Sequence, residues 1–230
     1  MSEHTVKSYD EELSHLTNIL ARMGGMAEAQ LASSLQALSK RDSDLAARVV
    51  AGDARIDELE QEVQQFTVRM LALRQPLAAD LRHIVSALKI SSEIERIGDY
   101  AANVAKRAIV LNQLPVVKPV SALLHLARIV QEILKDILDA YVERDIEKAI
   151  QVWNRDEEVD DMYNGLFREL LTYMMEDPRT ITAGSHLMFM AKNIERIGDH
   201  ATNIAEILHF VVVGTPIKGA RPKGVSVESE

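Results

Sequence analysis

Ile94-Glu95-Arg96-Ile97-Gly98-Asp99 returns, letter for letter, as Ile194-Glu195-Arg196-Ile197-Gly198-Asp199. The match runs on, with Ala101, Asn103 and Ala105 recurring as Ala201, Asn203 and Ala205, and Val104 as Ile204. The chain therefore reads as an internal duplication. On a helix, a glutamate and an aspartate four residues apart lie one above the other. Such a like-charge pair costs roughly 0.2–0.5 kcal/mol, and a mid-helix glycine about 1 kcal/mol more. A locally unfavourable pattern present twice invites a compensating partner such as a cation.

Composition fixes the class. Nearly half of the residues are hydrophobic, aromatics are scarce and prolines number six, so an all-α protein with a substantial core is expected. There is no cysteine, which excludes disulfides and thiolate ligands and leaves oxygen or imidazole donors for any metal. A net charge of −9 argues against nucleic acid as a partner, because phosphate backbones are bound by clustered lysines and arginines. The N-terminal MSEHTVKSYDEEL lacks the basic and apolar regions of a signal peptide. No uncharged run approaches a membrane span, and a cytoplasmic location is expected.

Apolar residues at helical spacing predict six long helices. The first covers about residues 8–40 and the second about 42–74, bent or broken near Gly52. Pro76 forces Gln75 out of helical geometry, and a third helix follows over 77–111. Residues 112–119, NQLPVVKP, read as a linker. A fourth helix starts at Ser121 as its cap, a fifth reaches Glu176, and a sixth runs over about 180–213 after Pro178. The expected organisation is one three-helix bundle over 1–111, a second over 120–213, and a disordered tail over 214–230 rich in Gly, Pro and charge.

A second duplicated acidic pair sits in the preceding helix of each half, Asp53 and Asp57 matching Asp156 and Asp160. Around the third helix, at about 100° per residue, Ile90, Ile94, Ile97, Ala101, Val104, Ala108 and Leu111 form one stripe. Glu95, Asp99 and Asn103 lie roughly opposite it, and Glu195, Asp199 and Asn203 repeat the layout, which places the acids on the outside of each bundle. Asp57 and Asp53 precede the turn by about as many residues as Glu95 and Asp99 follow it, so antiparallel packing brings four carboxylates to one level. Such an oxygen-rich patch suits Fe, Mn, Zn, Mg or Ca, and its eight oxygens could bridge more than one ion. Gly98 and Gly198 lack side chains beside it and would let an ion or a neighbouring backbone approach. The competing readings are a solvated acidic face and, in another class, a carboxylate-bridged di-metal enzyme. The latter needs a pocketed site with histidine ligands; Glu12-x-x-His15 and Glu206-x-x-His209 have that spacing but no counterparts in the repeat.

Arg74-Gln75-Pro76 with Asp80-Leu81-Arg82, the doubled hexapeptide, Tyr173-Met174-Met175-Glu176-Asp177-Pro178 and the duplicated acidic pairs together resemble the phosphate-specific transport accessory proteins of the PhoU family. The resemblance covers about residues 8–213. It implies two pseudo-symmetric three-helix bundles, a homodimer, and a metal site in each half with room for more than one ion, iron foremost. The implied ligands are Asp53, Asp57, Glu95 and Asp99 in one half and Asp156, Asp160, Glu195 and Asp199 in the other. It further implies a non-enzymatic negative regulator that couples the phosphate ABC transporter to a sensor histidine kinase at the cytoplasmic membrane face.

Overall fold

The first helix of each half ends in the same way, and that ending sets the frame. Arg41 and Arg144 both adopt φ 54°, a left-handed conformation that closes a helix and releases the chain. The next N–H then reaches back, Asp42 to the Ala37 carbonyl and Asp145 to that of Ala140, each at 2.9 Å. The same two aspartates start the following helix by accepting from Leu45 N–H at 2.8 Å and Lys148 N–H at 3.0 Å.

A computed structural model of the chain describes residues 2–74, 76 and 78–224. The expected turn residue Gln75 and residues 225–230 of the expected tail lie outside the described residues. Among the described residues the chain is helical, without strands: α1 (Ser2–Lys40), α2 (Ser43–Gly52), α3 (Ala54–Arg74), α4 (Ala78–Leu111), α5 (Val120–Glu143), α6 (Ile146–Asn154), α7 (Asp156–Glu176) and α8 (Ile181–Val213), with a 3-10 turn over Pro178–Thr180 before the last. These are six long helices in two pseudo-symmetric three-helix bundles, the middle helix of each divided in two.

Three boundaries differ from expectation. Helix α1 begins six residues early, since residues 2–7 contain neither glycine nor proline to stop it. Helix α5 is preceded by Pro119 rather than capped by Ser121, whose hydroxyl donates to the Lys118 carbonyl at 3.4 Å. The middle helix of the second half breaks at Arg155, where no glycine announced it. Arg155 sits at φ −86°, ψ 0°, tied to Glu158 at 2.8 Å and Glu132 at 3.4 Å.

The predicted stripes form the core. Ile90, Ile94, Ile97, Ala101, Val104 and Ala108 are buried, as are Met190, Ile194, Ile197, Ala201, Ile204 and Leu208. Full burial of each large aliphatic side chain stabilises by about 1.5–3 kcal/mol. The two bundles share this core, because α4 packs along α8 and α1 along α5. At the second contact Gly24 lies under Leu138, where a β-carbon would clash. α4 and α8 run antiparallel: Arg107 lies over the Phe189 ring at 4.6 Å, and Tyr100 beside His200 at 5.4 Å. Both hexapeptides thus stand near the middle of the molecule.

Candidate functional site

The break in each middle helix places the acids. Asp53 occupies the joint between α2 and α3, with Asp57 in the first turn of α3, and Asp156 opens α7 with Asp160 one turn on. Helix N-termini carry partial positive charge and tolerate carboxylates. The hexapeptide glycines then let these ends approach α4 and α8. A β-carbon on Gly98 would meet Ile56 Cδ1 at 2.8 Å and Asp53 Oδ1 at 3.4 Å, and one on Gly198 would meet Val159 Cγ1 at 3.2 Å. Ile56 and Val159 are equivalent positions of the repeat, so each glycine accommodates the helix that carries the other acidic pair. The expected room for an ion or a backbone is filled by these aliphatic side chains.

In the first half, Asp53 accepts from Gln30 Nε2 at 2.9 Å. Burial, and then the charges of Asp99 and Asp57, push its carboxyl above the usual aspartate range. Glu95 is pushed up to about 7, chiefly by burial and then by Asp99, with Glu60 and Asp57 adding to it. Arg96 opposes, 3.7 Å from Glu95 and 3.3 Å from Asp99. The four predicted residues Asp53, Asp57, Glu95 and Asp99 are thus brought within electrostatic reach of one another.

The second half assembles Asp156, Asp160, Glu195 and Asp199, with an added member. Arg221 of the C-terminal segment grips Asp156 through two parallel bonds of 2.7 and 2.6 Å and reaches Asp199 Oδ1 at 3.0 Å. It also donates to Asn203 Oδ1 at 3.0 Å, and Gly224 N–H donates to Asp160 at 3.1 Å. Within the segment expected to be a disordered tail, residues 221–224 lie over the second acidic set, held by the bidentate guanidinium of Arg221 on a buried carboxylate and by Gly224. Thr202 adds a hydroxyl donor to Asp156 at 3.3 Å. Glu195 receives Lys192 on Oε1 at 3.0 Å, while its Oε2 is buried without a hydrogen-bond partner. Burial and Asp199 push its carboxyl up, and burial and Asp156 do the same to Asp160.

The expectation of an acidic patch on the outer face of each bundle is also corrected for the second half. Asp57 is exposed, but Asp156 and Glu195 are only 3% and 7% exposed. The helical wheel treats the face opposite the core stripe as solvent, whereas α8 is enclosed by α4, α5, α6 and α7. Among the described residues no three His, Asp or Glu side chains converge closely enough to ligate one ion in this conformation. The donor chemistry nonetheless fits a hard cation, because the orphaned Glu195 Oε2 and the mutually repelling carboxyls each lack what a cation supplies. Glu12 is held instead by Arg74 at 2.8 Å and His15 meets the Phe66 ring edge-to-face, while Glu206 accepts from Trp153 at 2.9 Å. Sequence reasoning missed Gln30, Thr202 and Arg221. None has a repeat counterpart of its own kind, so the duplication gave no signal for them.

Comparison with known proteins agrees with this architecture. The PhoU domain family matches residues 20–108 and 123–208. A Caulobacter vibrioides relative named phosphate-specific transport system accessory protein PhoU homolog is 57% identical over 227 residues, 97% of either chain. A Zymomonas mobilis relative of the same name is 49% identical over 92% of this chain and 89% of its own. The crystal structure of PhoU from Pseudomonas aeruginosa superposes with a TM-score of 0.88 at 40% identity, covering 90% of this chain and all of the other. That of the phosphate transport system regulatory protein PhoU from Streptococcus pneumoniae gives 0.85 at 27% identity, over 91% of this chain and 99% of its own. The Caulobacter and Zymomonas relatives are named accessory proteins and the Streptococcus structure a regulatory protein, none of them an enzyme, and the chain belongs to the PhoU family.

Proposed function

We propose that this chain is a metal-binding negative regulator of phosphate uptake and phosphate-starvation signalling, an adaptor between the phosphate ABC transporter and its sensor histidine kinase. The names of its relatives, accessory and regulatory proteins of phosphate transport, support the transporter as partner. Among the described residues no helix is long and apolar enough to cross a membrane, which suits docking on the cytoplasmic face of those partners.

The observation that carries the metal reading is the pair of equivalent carboxylate sets, each held in mutual repulsion. Asp53, Asp57, Glu95 and Asp99 would hold one ion or cluster, and Asp156, Asp160, Glu195 and Asp199 the other; iron comes first, with Zn, Mn, Mg and Ca as alternatives. A bound cation supplies positive charge and coordination positions that partner oxygens could complete. The protein's own part is to bring α3 to α4 and α7 to α8 through the hexapeptide glycines, and to keep the carboxylates partly dehydrated so that a cation is attracted.

Neutralising the four acids of the first half, Asp53→Asn, Asp57→Asn, Glu95→Gln and Asp99→Asn, should remove about half of the bound metal in elemental analysis. Unchanged metal content rejects the site. Separately, cells lacking the chain should express a phosphate-starvation reporter in phosphate-rich medium, and the restored gene should silence it. A reporter indifferent to the chain rejects the regulatory reading while leaving the site intact.

A further inference from the structure

Four cations line one cleft of this otherwise acidic protein. Where α4 passes α8, Lys106 and Arg107 face Lys192 and Arg196 across a cavity of about 600 Å³, with Phe189 and Asn193 completing the wall and no carboxylate among its lining residues. Lys106 donates to the Asn103 side-chain Oδ1 at 3.2 Å, Arg107 has His186 at 3.3 Å and the Phe189 ring, and Arg196 donates to the Tyr100 hydroxyl at 3.4 Å. Lys192 alone is tied to a carboxylate, Glu195. The other three make these direct contacts with neutral groups.

The duplication provides an internal comparison. The pseudo-symmetric cleft at the other end of the α4–α8 contact is lined by Ser86, Lys89, Glu206, Ile207 and Phe210 and encloses only about 160 Å³. Glu206 stands where the basic cleft has Lys106, and Ile207 where it has Arg107. Bundle architecture alone does not require the positive charge, since the same architecture does without it a hundred residues away.

We propose that the basic cleft binds a small molecule carrying a di- or triphosphate group. The volume lies in the range of small-molecule sites and exceeds what one orthophosphate fills. Arg107 stands level with Phe189, and Arg196 lies seven residues further along α8, so the cations are spread over roughly 10 Å. That spacing matches a run of phosphates rather than one. Arginine offers paired donors that fit phosphate oxygens, and lysine a point charge. Phe189, more than half exposed beside Arg107, supplies an aromatic surface at one end. This reading does not depend on the metal sites.

The test is calorimetric titration of the full-length chain, in chelator so that no metal captures phosphate, with ATP, inorganic tripolyphosphate and orthophosphate. ATP and tripolyphosphate should bind saturably and orthophosphate at least tenfold more weakly. Lys106→Glu combined with Arg107→Ile, the residues of the opposite cleft, should weaken binding at least tenfold, and Lys89→Glu by less than twofold. Arg196→Gln, at an exposed position, should also weaken binding and guards against misfolding of the double variant. No saturation at millimolar ligand, an equal loss in Lys89→Glu, or orthophosphate binding as well as tripolyphosphate would each overturn the proposal.

Discussion

Glu95 shows how one residue ties stability to the site. Its carboxyl is held near 7 against an ordinary value of 4.5, because burial and Asp99 disfavour its charge. Below about pH 4.5 it is protonated in both folded and unfolded chains and imposes no penalty. As pH rises towards 7 the unfolded chain ionises first, so the folded state loses stability over that window. In chelator, Glu95→Gln should therefore gain on the parent between pH 5 and pH 8, as read by urea denaturation; a pH-independent difference would contradict the assignment. Gly98 and Gly198 make the complementary prediction. A valine at either position would press on Ile56 or Val159, and each variant should lose about 1–3 kcal/mol by the same measurement. The acids and glycines were legible because they occur twice. Their burial was not, because a helical wheel cannot know that α8 is enclosed on the side away from its own bundle core.

Between residues and molecule stand the joints that aim the helices. The left-handed Arg41 and Arg144 followed by capping Asp42 and Asp145 form one device used twice. Asp145→Ala should cost about 1 kcal/mol in chemical denaturation, with Asp42→Ala similar. If the two differ widely, the halves do not use their joints equivalently. The break at Gly52 could be read from glycine's poor helix propensity. Its counterpart at Arg155 could not, since arginine is a good helix former and the kink adds to its local pair with Glu158 a bond to Glu132 of α5, brought near only by folding. A long-range partner takes part at that position, so local sequence gives it no mark.

At the scale of the whole molecule, the two carboxylate sets are alike in residues and unlike in circumstance. The first lies open beside Arg96, whereas the second is closed by Arg221 from the C-terminal segment. A guanidinium in that position performs the service expected of a metal ion: it neutralises Asp156, which is almost fully buried, and draws Asp199 towards it. Removing it should have two separable effects. In chelator, Arg221→Ala leaves a buried carboxylate without its counter-charge, and stability should fall by about 3 kcal/mol. In the presence of metal, the same variant frees the second set from an internal competitor, so affinity there should rise while that of the first set stays the same. A metal titration of the parent should then resolve two classes of site, and one of Arg221→Ala should draw them together. If the variant instead weakens the second class, Arg221 supports the metal site and does not compete for it.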